Sequence, residues 1–348
     1  TQSLMMSPIM FMQNPVSWLR NIDKYKVTAS GAPNFAYELC IRKIPPEKCQ
    51  GLDLSTWKLA YNSAEPVRAE TQSKFAEKFA PYGFHPEAFA PCYGLAEATL
   101  EVSAYTGEPK TITLTINRND FEEGRVTPAE AKSGKETLTM VSSGKPLADI
   151  QVAIVDPQTR ARRAQNEVGE IWISGGNIAE GYWNRPEDTK HFFQAHPIGT
   201  REGPFLRTGD LGFMHNGHLY ITGRLKDLLI VRGRNYYPQD IEATVESTNR
   251  ILRPGSGAAF SVTENNVEQL VIVHEVQRTE VEGLDLNELI KQIRTNIARD
   301  HGIRAHAVIL IRRATIAKTS SGKIMRSETR RQYMENELEV VAEWRAPS

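Results

Sequence analysis

The stretch Trp57-Lys58-Leu59-Ala60-Tyr61-Asn62-Ser63-Ala64-Glu65-Pro66 decides how this chain reads. Trp57 to Tyr61 is a short run rich in strand-forming residues, and Asn62 to Pro66 breaks it with turn formers. Val67, Thr71, Phe75 and Phe79 then recur at every fourth position, one apolar helix face, and Gly83 ends the pattern. The same unit repeats on either side. Upstream, Asn14-Pro15 is a helix start with proline at the first helical position, and Lys26-Val27-Thr28-Ala29-Ser30 is a short strand. Gly31-Ala32-Pro33-Asn34 then turns into a helix through Phe35, Leu39 and Ile41. Downstream, Glu87 to Pro91 is a third strand that runs into Cys92-Tyr93-Gly94-Leu95-Ala96-Glu97-Ala98-Thr99. Strands alternating with helices predict an α/β fold with a parallel sheet and right-handed crossovers. Ligands bind such sheets at the carboxyl ends of the strands. The loops Gly31–Asn34, Asn62–Pro66 and Tyr93–Thr99 therefore open onto one edge.

Beyond this region the character changes. Thr111 to Ile116 alternates like an exposed strand, and Asn117 to Glu136 is polar with little helical periodicity, so residues 105–140 read as an insertion or surface excursion. Ile150 to Val155, Glu170 to Ser174, and His218 to Ile221 after the hairpin dipeptide Asn216-Gly217 form a small β-rich layer. Past Gly223 come three strands, Leu228 to Val231, Gly257 to Val262 and Leu270 to Val276. A helix follows from Asp285, with Glu288 three residues on as in a capping box, an apolar face of Leu286, Leu289, Ile290, Ile293 and Ile297, and a stop at Gly302. His306 to Ile311 is the last strand before a lysine loop. These residues predict two domains: 1–222, and an α+β module over 223–348 with its boundary near Gly223-Arg224.

Composition excludes several classes. The 348 residues carry 42 Lys plus Arg and 42 Asp plus Glu, so the zero net charge shows no nucleic-acid footprint. No apolar run approaches the ~20 residues that span a bilayer, and the start lacks a secretory leader. Cys40, Cys49 and Cys92 have no metal or redox spacing, which fits a reducing cytoplasm. His85, His191, His215, His218, His301 and His306 share no metal-ligand spacing. The chain starts at Thr1 without an initiator methionine, as expected of a segment from inside a longer protein.

Four places carry residues suited to chemistry, each with an ordinary alternative. Thr319-Ser320-Ser321-Gly322-Lys323-Ile324 holds a lysine on a small flexible loop, either a solvated turn or a point charge for phosphate or carboxylate oxygens. Asp210, in Arg207-Thr208-Gly209-Asp210-Leu211-Gly212, reads as a tight-turn aspartate that either bonds its own backbone or accepts both hydroxyls of a ribose. Glu97 is a helix N-terminal acid or one carboxylate for Mg2+, and Tyr93 is a core aromatic or a stacking partner for a purine. Arg224 and Lys226 are linker charges or parts of a hinge.

Taken in order, Tyr93 to Glu97, Gly169 to Gly175, Gly181-Tyr182-Trp183-Asn184-Arg185-Pro186-Glu187, Arg207 to Leu211, Gly223 to Asp227 and Ser321-Gly322-Lys323 resemble the adenylate-forming superfamily of acyl-CoA synthetases, nonribosomal-peptide adenylation domains and luciferases. Met6-Ser7-Pro8, Gly31 to Phe35, Asn62 to Val67, the heptad Tyr93–Thr99 and Arg232 to Glu242 are similar to the fatty acyl-AMP ligase branch. The resemblance implies the C-terminal half of a large adenylation domain followed by a small mobile C-terminal domain, with residues 105–140 as the branch's insertion. It implies activation of a fatty acid by ATP to acyl-AMP, followed by acyl transfer to the phosphopantetheine thiol of an acyl carrier protein or of a synthase carrier domain.

On this resemblance Ser63, Ala64, Glu65 and Pro66 line the adenine side with Tyr93, Gly94, Leu95 and Ala96 near the base and α-phosphate. Glu97 holds Mg2+, Asp210 the ribose hydroxyls, and Arg224 the ribose or phosphate. Lys323 is the adenylation lysine, Lys226 the hinge, and Met6, Phe11, Asn34 and Phe35 border the acyl pocket, a role that competes with plain core packing. The chain departs from the family in three ways: it has no equivalent of the Gly/Ser/Thr-rich triphosphate loop, Ala317 stands where a proline is usual, and Ala96 replaces the wider superfamily's threonine. Two other readings share these motifs, a fatty acyl-CoA synthetase and a non-catalytic adenylate-binding or scaffold protein.

Overall fold

Seven aromatic side chains, Trp18, Tyr37, Trp57, Phe75, Phe79, Phe84 and Phe89, are buried together and organise the first part of the chain. Trp57 packs edge-on to Trp18, Phe75 and Phe84, with ring centroids 5.2, 6.1 and 5.2 Å apart. Such pairs add about 0.5–1.5 kcal/mol each beyond the area they bury. The computed structural model of the protein describes residues 2–105, 111–130, 136–231, 233–264, 267–277, 285–319 and 322–347. It divides into two compact units, Thr1–Leu225 and Lys226–Ser348.

In the first unit, α1 (Pro8–Gln13) and α2 (Val16–Lys24) precede β1 (Ala29–Ala32), α3 (Asn34–Lys43), β2 (Leu59–Asn62), α4 (Ala69–Phe79) and β3 (Phe89–Pro91). β1, β2 and β3 pair parallel in that order, as the alternation of strands and helices predicts. Both upstream strands begin later than expected. Gly31 sets the register: a Cβ there would lie 2.3 Å from Tyr61 Cβ, so only glycine lets β1 approach β2 so closely. Pro15 caps α2 rather than opening it, and α1 was not anticipated.

β4 (Tyr93–Leu95) and β5 (Leu100–Ala104) form a small antiparallel sheet with β8 (Lys145–Pro146). Between them β6 (Thr113–Asn117) and β7 (Thr137–Val141) pair antiparallel around α5 (Arg118–Glu122). The stretch read as polar excursion thus holds a helix, and the strand read as exposed buries Ile116. Asn117 explains the helix: its side chain accepts the Asp120 N–H, and a five-residue element is too short to show a period. Residues 106–110 and 131–135 of that stretch lie outside the described residues. The β-rich layer is one antiparallel sheet in the order β12-β11-β10-β9, built from β9 (Ile150–Val155), β10 (Gly169–Gly175), β11 (Leu206–His215) and β12 (His218–Arg224), with α6 (Pro186–Phe193) between β10 and β11. Asn216 and Gly217 both take positive φ, 50° and 77°, which is the hairpin turn their identity predicts. Gly223 and Arg224, where the sequence places the domain boundary, complete β12.

The second unit begins with the hairpin of β13 (Leu229–Val231) and β14 (Arg234–Tyr236), then α7 (Pro238–Thr248), β15 (Leu252–Glu264), β16 (Val267–Val276), α8 (Leu286–His301), β17 (Ala305–Ile311), α9 (Arg326–Met334) and β18 (Val340–Arg345). The sheet order is β15-β16-β17-β18, parallel only between β16 and β17. Leu270, Ile272, Val308 and Leu310 face α7 and α8, whereas Val271, Val273, Ala307 and Ile309 face Ile316 and Tyr333. Burial on both faces explains the near-continuous apolar runs of these strands. The Asp285 carboxylate accepts from the Asn287 and Glu288 backbones, and Gly302 ends α8 at φ 65°. Among the described residues no helix is long and apolar enough to cross a membrane.

Candidate active site

Asp210 is only 6% exposed, so its carboxylate needs partners. The Tyr93 hydroxyl donates to Oδ2 at 2.7 Å, and Arg224 Nε lies 3.1 Å from Oδ1. The sheet makes this arrangement: Asp210 and Arg224 face each other in the β11–β12 register, and Tyr93 opens β4. Burial, with the Asp210 charge beside it, pushes the Tyr93 phenol well above its ordinary value, so it stays a donor. The tight turn expected at Asp210 is corrected. Asp210 lies inside the ten-residue strand β11, where Gly209 at φ 70° bends the chain and the register with β10 slips between Glu170 and Trp172.

That bend is held from behind. Glu170 is 1% exposed and is satisfied by Arg207, by the Trp172 indole N–H at 2.8 Å and by the Gly209 N–H at 3.3 Å. Thr208 Oγ1 donates to the Ile171 carbonyl at 2.7 Å and accepts the Asp210 N–H at 3.0 Å. Sequence reasoning missed both residues. The signal was available in Glu170 and Trp172, which share a strand face two positions apart.

Glu97 lies in a 3-10 turn, Ala96–Ala98, between β4 and β5. The hydroxyl of Tyr182 donates to its Oε1 at 2.9 Å, and among the described residues its other oxygen has no hydrogen-bond partner. Gly94 is required just upstream, because a Cβ there would sit 1.5 Å from the Leu100 carbonyl oxygen. Leu95 packs on the Tyr93–Val102 core, and Ala96 is exposed. Among the described residues there is no group of three or more His, Cys, Asp or Glu side chains placed to hold a metal. A lone carboxylate with an open oxygen fits the way Mg2+ is held, through one carboxylate, phosphate oxygens and water.

The loop Ser63–Pro66 leaves the end of β2, which pairs with β3, and exposed Ala64 takes φ 71°. Glu65 accepts the Phe35 N–H at the start of α3, and Asn34 Oδ1 accepts the Arg68 N–H at 3.1 Å. Asn34 also donates to Glu38 and Thr71, at 3.1 and 3.2 Å, and is 4% exposed. Phe11 is buried edge-on against Trp18 at 5.8 Å, while Met6 and Phe35 pack against the same core. All four residues expected at an acyl pocket are thus engaged in packing or in the α3–α4 polar network.

In the second unit Lys226 is exposed, and so is Lys323. The Lys323 loop is closed by bonds between its own ends: Thr319 N–H to the Lys323 carbonyl at 2.8 Å, and Lys323 N–H to Thr319 Oγ1 at 3.1 Å. Gly322 takes φ 88°, a value that suits glycine. Ser320 and Ser321 of that motif, and Arg232, lie outside the described residues. Arg326, just past the lysine, forms ion pairs with Glu242 at 2.6 Å and Asp227 at 3.3 Å.

Comparison with known proteins shows what the chain is similar to. Residues 2–183 match the family model described as AMP-binding enzyme, and residues 226–343 match the AMP domain of Disco-interacting protein 2-like proteins. The medium-chain-fatty-acid–[acyl-carrier-protein] ligase JamA of Moorena producens is 46% identical over 98% of this chain and 57% of its own length. A solved fatty acyl-adenylate ligase of L. pneumophila, in complex with acyl adenylate and pyrophosphate, is 42% identical, with a TM-score of 0.65 over 99% of this chain and 59% of its own. A structure from studies of fatty acyl-adenylate ligases of E. coli and L. pneumophila is 34% identical, with a TM-score of 0.84 over 94% of this chain and 56% of its own. The chain therefore spans a little over half the length of the curated relatives it matches. The first match runs through the parallel sheet, the Ser63–Pro66 loop and the Tyr93–Glu97 turn, and on that basis the chain belongs to the AMP-binding enzyme family.

Proposed function

We propose that this chain acts in the ATP-dependent activation of a fatty acid to its acyl-adenylate, with release of pyrophosphate and transfer of the acyl group to the phosphopantetheine thiol of an acyl carrier protein. The observation that carries this reading is the Tyr93–Asp210–Arg224 arrangement, a buried carboxylate reached from solvent past a side chain that is 58% exposed. A nucleoside ribose offers two hydroxyl donors to such a carboxylate, and Arg224 swings out to meet ribose or phosphate oxygens. Ser63, Ala64, Glu65 and Pro66 border the adenine, with Gly94, Leu95 and Ala96 alongside. The relatives named as a fatty-acid–carrier-protein ligase and as a fatty acyl-adenylate ligase support the choice of acid and acceptor.

The reaction brings a fatty carboxylate against an α-phosphate, so two anions must approach. Lys323 neutralises and aligns them, and Glu97 holds Mg2+ through its open oxygen. When bound, Mg2+ neutralises the phosphate charge and eases departure of pyrophosphate. Lys226 serves as the hinge of a small lid formed by residues 223–348, residues 105–140 act as the insertion that disfavours CoA, and the unpatterned cysteines suit work in the cytoplasm. The test combines the complete protein with ATP, Mg2+, fatty acids and either holo carrier protein or CoA, with products read by mass spectrometry. Acyl-adenylate and the acylated carrier protein are expected. Abundant acyl-CoA would replace this reading with a CoA ligase, and no pyrophosphate exchange with any carboxylic acid would replace it with a binding or scaffold role.

A further inference from the structure

The loop that follows β10 holds the turn that carries Glu97 at several points. Asn177 Nδ2 donates to the Ala98 and Glu101 carbonyls, at 2.8 and 3.1 Å, and the Asn177 carbonyl accepts from Thr99 Oγ1 at 2.7 Å. The Ala179 N–H donates to the Glu97 carbonyl at 2.8 Å. These bonds enclose two residues with positive φ, Thr99 at 58° and Leu100 at 136°, a conformation that persists only where its surroundings hold it. Tyr182 completes the contact through its hydroxyl to Glu97 Oε1.

The Tyr182 ring is itself fixed. It meets Phe193 edge-on at 5.0 Å and Phe192 at 6.2 Å, and its backbone N–H donates to Thr189 Oγ1 at 3.0 Å. Gly181 lets α6 come this close, since a Cβ there would lie 2.3 Å from Thr189 Cγ2.

We propose that Tyr182 is a positioning residue that engages one oxygen of Glu97 and thereby presents the other to a divalent cation. The inference rests on the reading of Glu97 as the cation-holding acid. A carboxylate on a 3-10 turn has two rotatable side-chain bonds beyond Cβ, and a fixed donor on one oxygen removes most of that freedom. Partners of this kind commonly change metal affinity about 10–100-fold. The α6 aromatics, Gly181 and the Asn177 bonds together make a frame that, among the described residues, hydrogen-bonds the carboxylate through the phenol.

The experiment uses Mn2+ as the probe, titrated by electron paramagnetic resonance into the complete protein with a non-hydrolysable ATP analogue, for the unaltered chain, Tyr182→Phe and Glu97→Gln. Tyr182→Phe keeps the ring and removes only the hydroxyl. Its expected result is roughly tenfold weaker Mn2+ binding with an unchanged melting curve and unchanged affinity for the metal-free analogue. Equal Mn2+ affinity in Tyr182→Phe, with binding lost in Glu97→Gln, overturns the positioning role and leaves Glu97 as the cation-holding acid. Undiminished Mn2+ binding in Glu97→Gln overturns both. A lower melting curve with Mn2+ affinity intact assigns Tyr182 to packing alone and also overturns the proposal.

Discussion

Asp210 and Lys323 carry different parts of the proposed chemistry, and their variants should separate. Asp210→Asn keeps the volume but replaces one acceptor oxygen with a donor and removes the charge, so the two ribose hydroxyls no longer each meet a carboxylate oxygen and the Tyr93 bond weakens. Hydrogen bonds to a charged group contribute about 1.5–3 kcal/mol, so adenine-nucleotide affinity should fall about 10–100-fold by calorimetry. Lys323→Ala should do the reverse. Nucleotide affinity is retained and acyl-adenylate formation drops about 10²–10³-fold, the usual effect of removing one charge that stabilises a transition state. Unchanged turnover in Lys323→Ala would remove the lysine from the reaction. Of the two residues, Lys323 carries the more local signal, a lysine flanked by small residues. Asp210 was read in a tight turn and lies instead inside β11. Its neighbour Gly209 takes the positive φ of a turn, while the strand around it is set by bonds to Glu170 and by Tyr93, which lies 117 residues away in sequence.

At the scale of elements, the parallel β1-β2-β3 sheet was readable from its alternation with helices, and α4 and α8 from an apolar period or a cap of their own. Strand limits were not. β1 and β2 start later than their apolar runs suggest because pairing is decided by close approach at Gly31, a contact between distant residues. The β4–β5 hairpin depends on glycine in the same way and permits a direct test. Gly94→Ala would place a methyl 1.5 Å from the Leu100 oxygen and 2.6 Å from its carbonyl carbon. Parting the strands displaces Tyr93 on one side and Glu97 on the other. The expected cost is at least the ~1–3 kcal/mol of overpacking, seen as a lower melting temperature, with nucleotide binding lost in the fraction that still folds. Gly176→Ala is the matched control, since nothing lies within 4 Å of its added methyl, and its melting temperature and nucleotide affinity should stay unchanged.

On the scale of the whole molecule, the two compact units answer to different balances, and the second contains a buried group that no motif announced. His274 was not among the histidines weighed from the sequence, because it sits in an apolar strand without a spaced partner. It is fully buried on β16, where Gly257 leaves room for it: a Cβ at that position would meet the imidazole at 2.3 Å. Nδ1 bonds the Glu275 carbonyl at 2.9 Å, and among the described residues Nε2 has no hydrogen-bond partner. Burial pulls the His274 pKa down from 6.5 to about 4, against the pull of the Glu275 backbone and of the Glu242 and Glu275 charges, with Lys318 adding to the depression. The sign follows from which state holds the proton. Between pH 6.5 and 4 the unfolded chain binds a proton that the folded one refuses, so stability falls as pH drops through that window. The loss should approach ~3 kcal/mol near pH 4. Paired carboxylates such as Glu275, whose pKa is lowered, also lose stability in acid, so the useful quantity is a difference. Amide exchange in β16 and β17 is measured at pH 7, 5.5 and 4 for the unaltered protein and for His274→Leu. After correction for intrinsic exchange rates, the unaltered protein should lose more protection than the variant on acidification. Parallel losses would mean that His274 does not set the acid sensitivity of this sheet.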